Sequence, residues 1–168
     1  METIILPDTL GITAPLSIYI YESNHELTKQ QVTLNQNTFS FLQAGTKEVF
    51  FDNSSSIIES SEFLLMKTGH CLMTEKLTDS SKYYKSILFF FSNEAIFQFI
   101  QKYQLKSESK LFSHSTHTFK YSNFTLDFVD SLIVIAKQSK ELQSKLLPLK
   151  FEELMLYLIE KNGDRFLK

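Results

Sequence analysis

The 168-residue sequence has no tryptophan, one cysteine, four glycines and three prolines, and its sole arginine is Arg165. Each shortage closes off a class of protein. A lone thiol, Cys71, makes no internal disulfide and suits a reducing compartment, so the cytoplasm is the expected location. Gly11, Gly45, Gly69 and Gly163 are too scattered to build a phosphate-cradling loop, and no Gly-X-Ser-X-Gly nucleophile elbow occurs. Arginine is the residue best shaped to fork onto phosphates and base edges, and it is nearly missing. Basic and acidic residues number 17 and 19 and are well mixed, with a formal net charge of -2. No basic face for duplex DNA follows from that balance. The longest apolar runs, Ile87 to Phe91 and Leu132 to Ala136, fall far short of the roughly 20 residues that span a bilayer. The start, Met1-Glu2-Thr3, is acidic and lacks the basic-then-apolar pattern of a secretion signal. No membrane partner is expected.

Phenylalanine is what the sequence has in excess. Sixteen Phe and seven Tyr fall mostly in stretches that read as strands, which predicts a β core filled by large side chains. Leu16 to Tyr21 alternates aliphatic with polar or amphipathic residues, the period of a half-buried strand. Gln31 to Thr33, Thr38 to Leu42, Lys47 to Phe51 and Ser56 to Ser60 are further short strands. Asn35-Gln36-Asn37, Ala44-Gly45 and Asp52-Asn53-Ser54 supply turn chemistry between them. Glu62 to Lys67 and His70 to Glu75 flank a tight reversal at Thr68-Gly69. Lys82 to Phe91 is the longest and most apolar strand, and its end needs cover on both faces. Strands at this spacing, all ahead of the long helices, predict an antiparallel barrel or sandwich with a helical appendage.

After Phe91 the period becomes helical. Ser92 or Asn93 caps a short helix carrying Ile96, Phe97, Ile100 and Tyr103. Lys106 to Lys110 reads as a loop and Leu111 to Lys120 as a return to strand. Asn123 caps a second helix running from Phe124 to Leu146. Pro148 fits the first turn of a third, with Glu152 and Glu153 near its start and Asn162-Gly163 at its stop. The second helix carries a stripe of Phe128, Leu132, Ile135 and Leu142, widened by Ile133, Val134 and Ala136. A helix apolar around so much of its girth needs cover from more than one side. A small barrel can cover one side, and the third helix, with Phe151, Leu154, Met155 and Leu158, another. A partner subunit is the candidate for what remains, with Phe128, Leu132, Ile133, Ile135, Ala136 and Leu142 as the dimer interface. The first and third helices of the same chain are the other candidate.

No catalytic constellation is legible. Barrels of the cupin type often hold a metal through clustered His and a carboxylate. Here His70 stands alone, and His114 and His117, three apart, would point to opposite faces of a strand. Cys71 reads as a buried structural thiol. Neither metal nor cofactor is expected, and the chain reads as a non-enzyme.

Two stretches carry a family resemblance. Phe63 to His70, followed by Ser86 to Tyr103, resembles the N-terminal domain of AraC/XylS-type regulators, in which a strand-turn hairpin leads to a strand and a short amphipathic helix. Leu149-Lys150-Phe151-Glu152-Glu153-Leu154 looks like the Leu-Lys-x-Glu-Glu-Leu helix of the ExsA-like subgroup. The likeness covers roughly residues 39 to 168. It implies an α+β fold: an antiparallel cupin-like barrel of jelly-roll type over residues 1–122, with a short helix near 93–104, then a helical dimerisation segment over 123–168. It also implies a homodimer, an attached C-terminal domain with two helix-turn-helix units that binds DNA, and control by an effector. That effector is a small apolar molecule or an anti-activator protein. No residues of the effector pocket are assigned. A free-standing interaction module of cupin fold, or a cupin enzyme, is the alternative.

Overall fold

Successive side chains along a strand point to opposite faces of a sheet, and one sheet of this chain meets an apolar surface on each. The computed structural model describes residues 2–52, 54–78, 82–105 and 114–167. The described residues form ten strands: β1 (Ile4–Leu6), β2 (Leu16–Ser23), β3 (Leu27–Leu34), β4 (Asn37–Ala44), β5 (Thr46–Phe51), β6 (Ser54–Ile58), β7 (Glu62–Met66), β8 (Gly69–Lys76), β9 (Tyr84–Phe91) and β10 (Thr116–Lys120). They lie in two five-stranded sheets ordered β1-β3-β8-β5-β6 and β10-β7-β4-β9-β2. Every pairing is antiparallel except that of β1, which runs parallel to β3 with Ile4 opposite Val32. The helices are α1 (Asn93–Lys102), α2 (Asn123–Ala136) and α3 (Lys140–Asn162).

The second sheet is covered twice. Phe39, Phe41, Phe63, Leu65, Ile87, Phe89 and Phe91 point outward and share one apolar cluster with all three helices. Leu42, Leu64, Met66 and Tyr84 point inward, against Val32, Leu34, Val49 and Met73 of the first sheet. This explains the unbroken run Ile87 to Phe91, in which odd and even positions both find apolar neighbours. Burying each of these Phe rings stabilises the fold by about 1.5–3 kcal/mol relative to exposure. The first sheet keeps its other face to solvent.

Local chemistry sets the helix ends. Ser92 accepts from the Ala95 amide at 3.1 Å and starts α1. Ser122, one residue before the expected cap, starts α2 in a capping box with Thr125 and also meets the Tyr157 hydroxyl at 2.7 Å. The second helix does not reach Leu146. It stops at Ala136, and Ser139 caps a new helix by accepting from the Leu142 amide at 3.1 Å. Gln143 closes the corner, donating to the Ala136 and Gln138 carbonyls at 3.2 and 3.0 Å. Pro148 therefore lies inside α3 rather than in a first turn. Its missing amide costs a helix bond on the exposed side of the helix, where the freed carbonyl can reach solvent. Glu152 and Glu153 are mid-helix and pair with Lys102 and Lys150, at 2.7 and 2.8 Å.

Three strand expectations shift as well. β3 starts four residues early, through an irregular step between Leu27 and Gln30 at which Lys29 has φ +48. β6 lies two residues earlier than expected, because the Glu62 amide bonds the Glu59 carbonyl and turns the chain there. At Thr68-Gly69 the chain passes from one sheet to the other rather than closing a paired hairpin. The expected loop at 106–110, and residues 111–113 of the return strand, lie outside the described residues.

Candidate functional site: a barrel cavity and a helical face

Between the sheets, beside β1, the packing leaves a cavity of about 200 Å³. Its walls are largely apolar and include Ile4, Leu6, Leu10, Val32, Met73 and Leu88. One end is polar, because inward positions of β5, β8 and β9 carry Lys47, Glu75 and Ser86. Lys47 is 2% exposed and Glu75 6%. The Lys47 Nζ donates to Ser40 Oγ at 3.1 Å and lies 4.0 Å from Glu75 Oε2. Burial lowers the pKa of Lys47, opposed first by Glu75 and then by Cys71. Burial, with Glu75 adding to it, raises the phenols of Tyr84 and Tyr21, whose rings meet edge-on at 5.7 Å. The buried Ser86 Oγ and Tyr84 hydroxyl make no hydrogen bond of good geometry, though they lie close to each other and the Tyr84 hydroxyl lies close to Glu75. Buried polar groups without a well-formed hydrogen bond are uncommon, and Ser86 is one that lines the cavity. The arrangement can hold an apolar body by its walls and a polar end by Lys47, Glu75 and Ser86. The sequence placed Lys47 and Glu75 in strands but assigned none of these residues to a site. A lysine in the pattern Lys47-Glu48-Val49 looks like a solvated strand position until the register turns it inward.

The remaining candidates fall elsewhere. Cys71 is buried next to this cluster, and burial pushes its thiol up to about 11. His70 lies on the outer face of the first sheet with Nδ1 2.8 Å from Thr33 Oγ1. His117 packs on the rings of Phe119 and Phe166 at 4.7 and 6.0 Å, and burial lowers its pKa. Among the described residues, no three His, Cys, Asp or Glu side chains converge. Two larger hollows, of about 530 and 620 Å³, flank His70 but are open and lined mainly by surface residues.

The six residues expected at a dimer interface separate. Phe128, Leu132 and Ile135 are buried within the chain against the barrel, so they present no surface to a partner. Phe128, for example, lies 5.9 Å from Phe41 with the Lys150 Nζ 4.7 Å above its ring. The barrel's second sheet supplies the cover that the apolar girth required. Ile133 and Ala136 are half-buried at the edge of that core. Leu142 belongs to α3, not α2, and is exposed. It heads a row that the sequence reading divided between two helices: Leu142, Leu149 and Leu156, seven apart, 38%, 61% and 42% exposed. On a helix that spacing keeps them on one face, opposite the buried Leu147, Phe151, Leu154 and Leu158. Val134 and Leu126 are exposed on α2.

Comparison with known proteins bears on this geometry. Residues 37–168 match the family model of the ExsA N-terminal regulatory domain. No curated protein matches by sequence. Among solved structures, an apo ToxT variant from Vibrio cholerae strain SCE256 superposes with a TM-score of 0.65 at 12% identity, over 93% of this chain and 60% of that one. Wild-type ToxT from the same strain with an unsaturated fatty acid bound gives 0.57 at 13%, over 91% and 57%. The AraC-like transcriptional activator CuxR gives 0.56 at 8%, over 87% and 52%. At these identities the structural likeness concerns the fold, a cupin-like barrel with C-terminal helices. The chain spans about 60% of the length of the ToxT chains it matches.

Proposed function

Because the chain belongs to the ExsA N-terminal regulatory domain family of AraC-type regulators, we propose that it senses an effector in the barrel cavity and passes the result to the helices that pair two copies. The observation that carries this reading is the double duty of β9. Ser86 and Leu88 line the cavity. Their neighbours Ile87, Phe89 and Phe91 pack against the helices, with the Phe91 and Phe89 rings 4.9 and 6.2 Å from that of Phe151 on α3. A ligand that moves one face of this strand moves the other, which gives the two sites a physical means of coupling.

The partner is a second copy of this chain. The face that serves is the exposed row Leu142, Leu149 and Leu156. It replaces the buried Phe128, Leu132 and Ile135 of the sequence expectation. An attached DNA-binding domain would make the promoter contacts, in keeping with the single Arg and the net charge of -2 here. The regulator acts in the cytoplasm and catalyses nothing. A small apolar effector is favoured over an anti-activator protein because the cavity offers an interior seat.

Sedimentation velocity tests the pairing. The wild-type chain is expected to dimerise at micromolar concentration, and Leu149→Asp to be monomeric with an unchanged circular dichroism spectrum. A monomeric wild type at high micromolar concentration, or a dimer untouched by Leu149→Asp and Leu156→Asp, would end the claim.

A further inference from the structure

The polar end of the cavity has its charges balanced and its hydrogen bonds unfinished. Lys47 and Glu75 face each other at 4.0 Å, both buried. Whichever of the two holds the proton, their total charge is zero. A ligand carboxylate would add a second anion beside Glu75, and an ammonium a second cation beside Lys47. Either leaves a net charge in a site walled by apolar side chains, which is unfavourable. Hydrogen bonding tells the complementary story. Of the three N–H donors of Lys47, one is taken by Ser40 Oγ, and the 4.0 Å separation from Glu75 is too long for a hydrogen bond. Ser86, only 1% exposed, lines the same cavity, its Oγ making no hydrogen bond of good geometry. The Tyr21 and Tyr84 hydroxyls already face Glu75, so the open demands are an acceptor for the free Lys47 donors and a partner for Ser86. A hydroxyl or an amide meets both while uncharged. A carboxylate meets them only by bringing a charge, and an ammonium offers Lys47 no acceptor.

We propose that the cavity takes a short amphiphile with an uncharged hydroxyl or amide head, held between Lys47 and Ser86 beside Glu75, its tail along Leu6, Val32, Met73 and Leu88. The cavity of about 200 Å³ admits only a short tail. This head chemistry differs from that of the fatty acid in the ToxT structure. The assignment rests on reading the cavity as the effector seat.

The test is a matched series, 1-hexanol, hexanamide, hexanoate and hexylammonium at pH 7.5, each titrated against the chain labelled with ¹³C at its methionine methyls. The Met73 signal, identified with Met73→Leu, reports the cavity wall. Hexanol and hexanamide are expected to shift it saturably, with hexanoate and hexylammonium roughly ten-fold or more weaker, the scale of one poorly compensated charge. Glu75→Gln leaves the Lys47 charge without its counter-ion and is expected to bring hexanoate ahead of hexanol. Should that variant not fold, the wild-type ranking decides alone. If hexanoate or hexylammonium binds the wild type best, the head-group assignment is overturned and the cavity remains an effector seat. If no member of the series moves Met73, the cavity reading fails and takes the assignment with it.

Discussion

Gly45 holds the sharpest packing constraint in the barrel. It joins β4 to β5 with φ +98, and a Cβ built there would stand 2.6 Å from the Lys76 carbonyl oxygen and 2.7 Å from a Tyr84 ring carbon. Neither neighbour can give way. The first is backbone in β8, and the second is a fully buried ring. Gly45→Ala therefore combines a positive-φ penalty of about 1–2 kcal/mol with an overpacking cost of about 1–3 kcal/mol. The expected total is about 2–5 kcal/mol, a fall in Tm of roughly 4–20 °C for a domain of this size. Gly11 is the control. It too has positive φ, +74, but open space where its Cβ would go. Gly11→Ala should lose about 1–2 kcal/mol, the backbone part alone. Urea denaturation of the wild type and both variants gives the comparison. Equal losses in the two variants, or a loss under about 1 kcal/mol at Gly45, would refute the claim that the Lys76–Tyr84 contact closes this turn.

Further predictions follow from burial and capping. Lys47 has a lowered pKa in the folded state, so the unfolded chain binds more protons below 10.5, and the stability tied to this group rises with pH toward that value. Wild type should gain on the Lys47→Met, Glu75→Gln double variant as pH is raised from neutral, and a difference that is flat or falls would contradict the buried ammonium. Cys71, raised from 9.0 to about 11, carries about a hundred-fold less thiolate than in the unfolded chain at pH 8. A disulfide reagent should label it only as fast as the protein opens, and rapid labelling without denaturant would place the thiol at the surface. Ser122→Ala removes the α2 cap and the bond to the Tyr157 hydroxyl, and should cost about 1–2 kcal/mol in urea denaturation. A cost near zero would mean water replaces both.

The fold was legible where one physical signal dominated. Alternation placed β2, β4, β5 and β9, and the even-and-odd apolar run in β9 announced a sheet covered on both faces. Misreadings arose where two signals competed. The apolar content of residues 124–146 overrode the polar break at Lys137 to Ser139, whose cap becomes visible only once Ser139 is seen to accept from Leu142. That error moved Leu142 onto the wrong helix and hid the row it forms with Leu149 and Leu156. It also let intrachain core residues pass for an interface, since periodicity reports that a face needs cover but not what covers it. The cavity was illegible for a different reason. Lys47, Glu75 and Ser86 come from three strands, and only sheet register brings them together.

The central claim is that cavity and pairing face are coupled through β9, and the dimer dissociation constant tests it most directly. It is to be measured by sedimentation equilibrium with no ligand and with enough 1-hexanol to saturate the Met73 shift. The account predicts a change of roughly five-fold or more, a coupling of about 1 kcal/mol. Saturation of Met73 with an unchanged dissociation constant would contradict it.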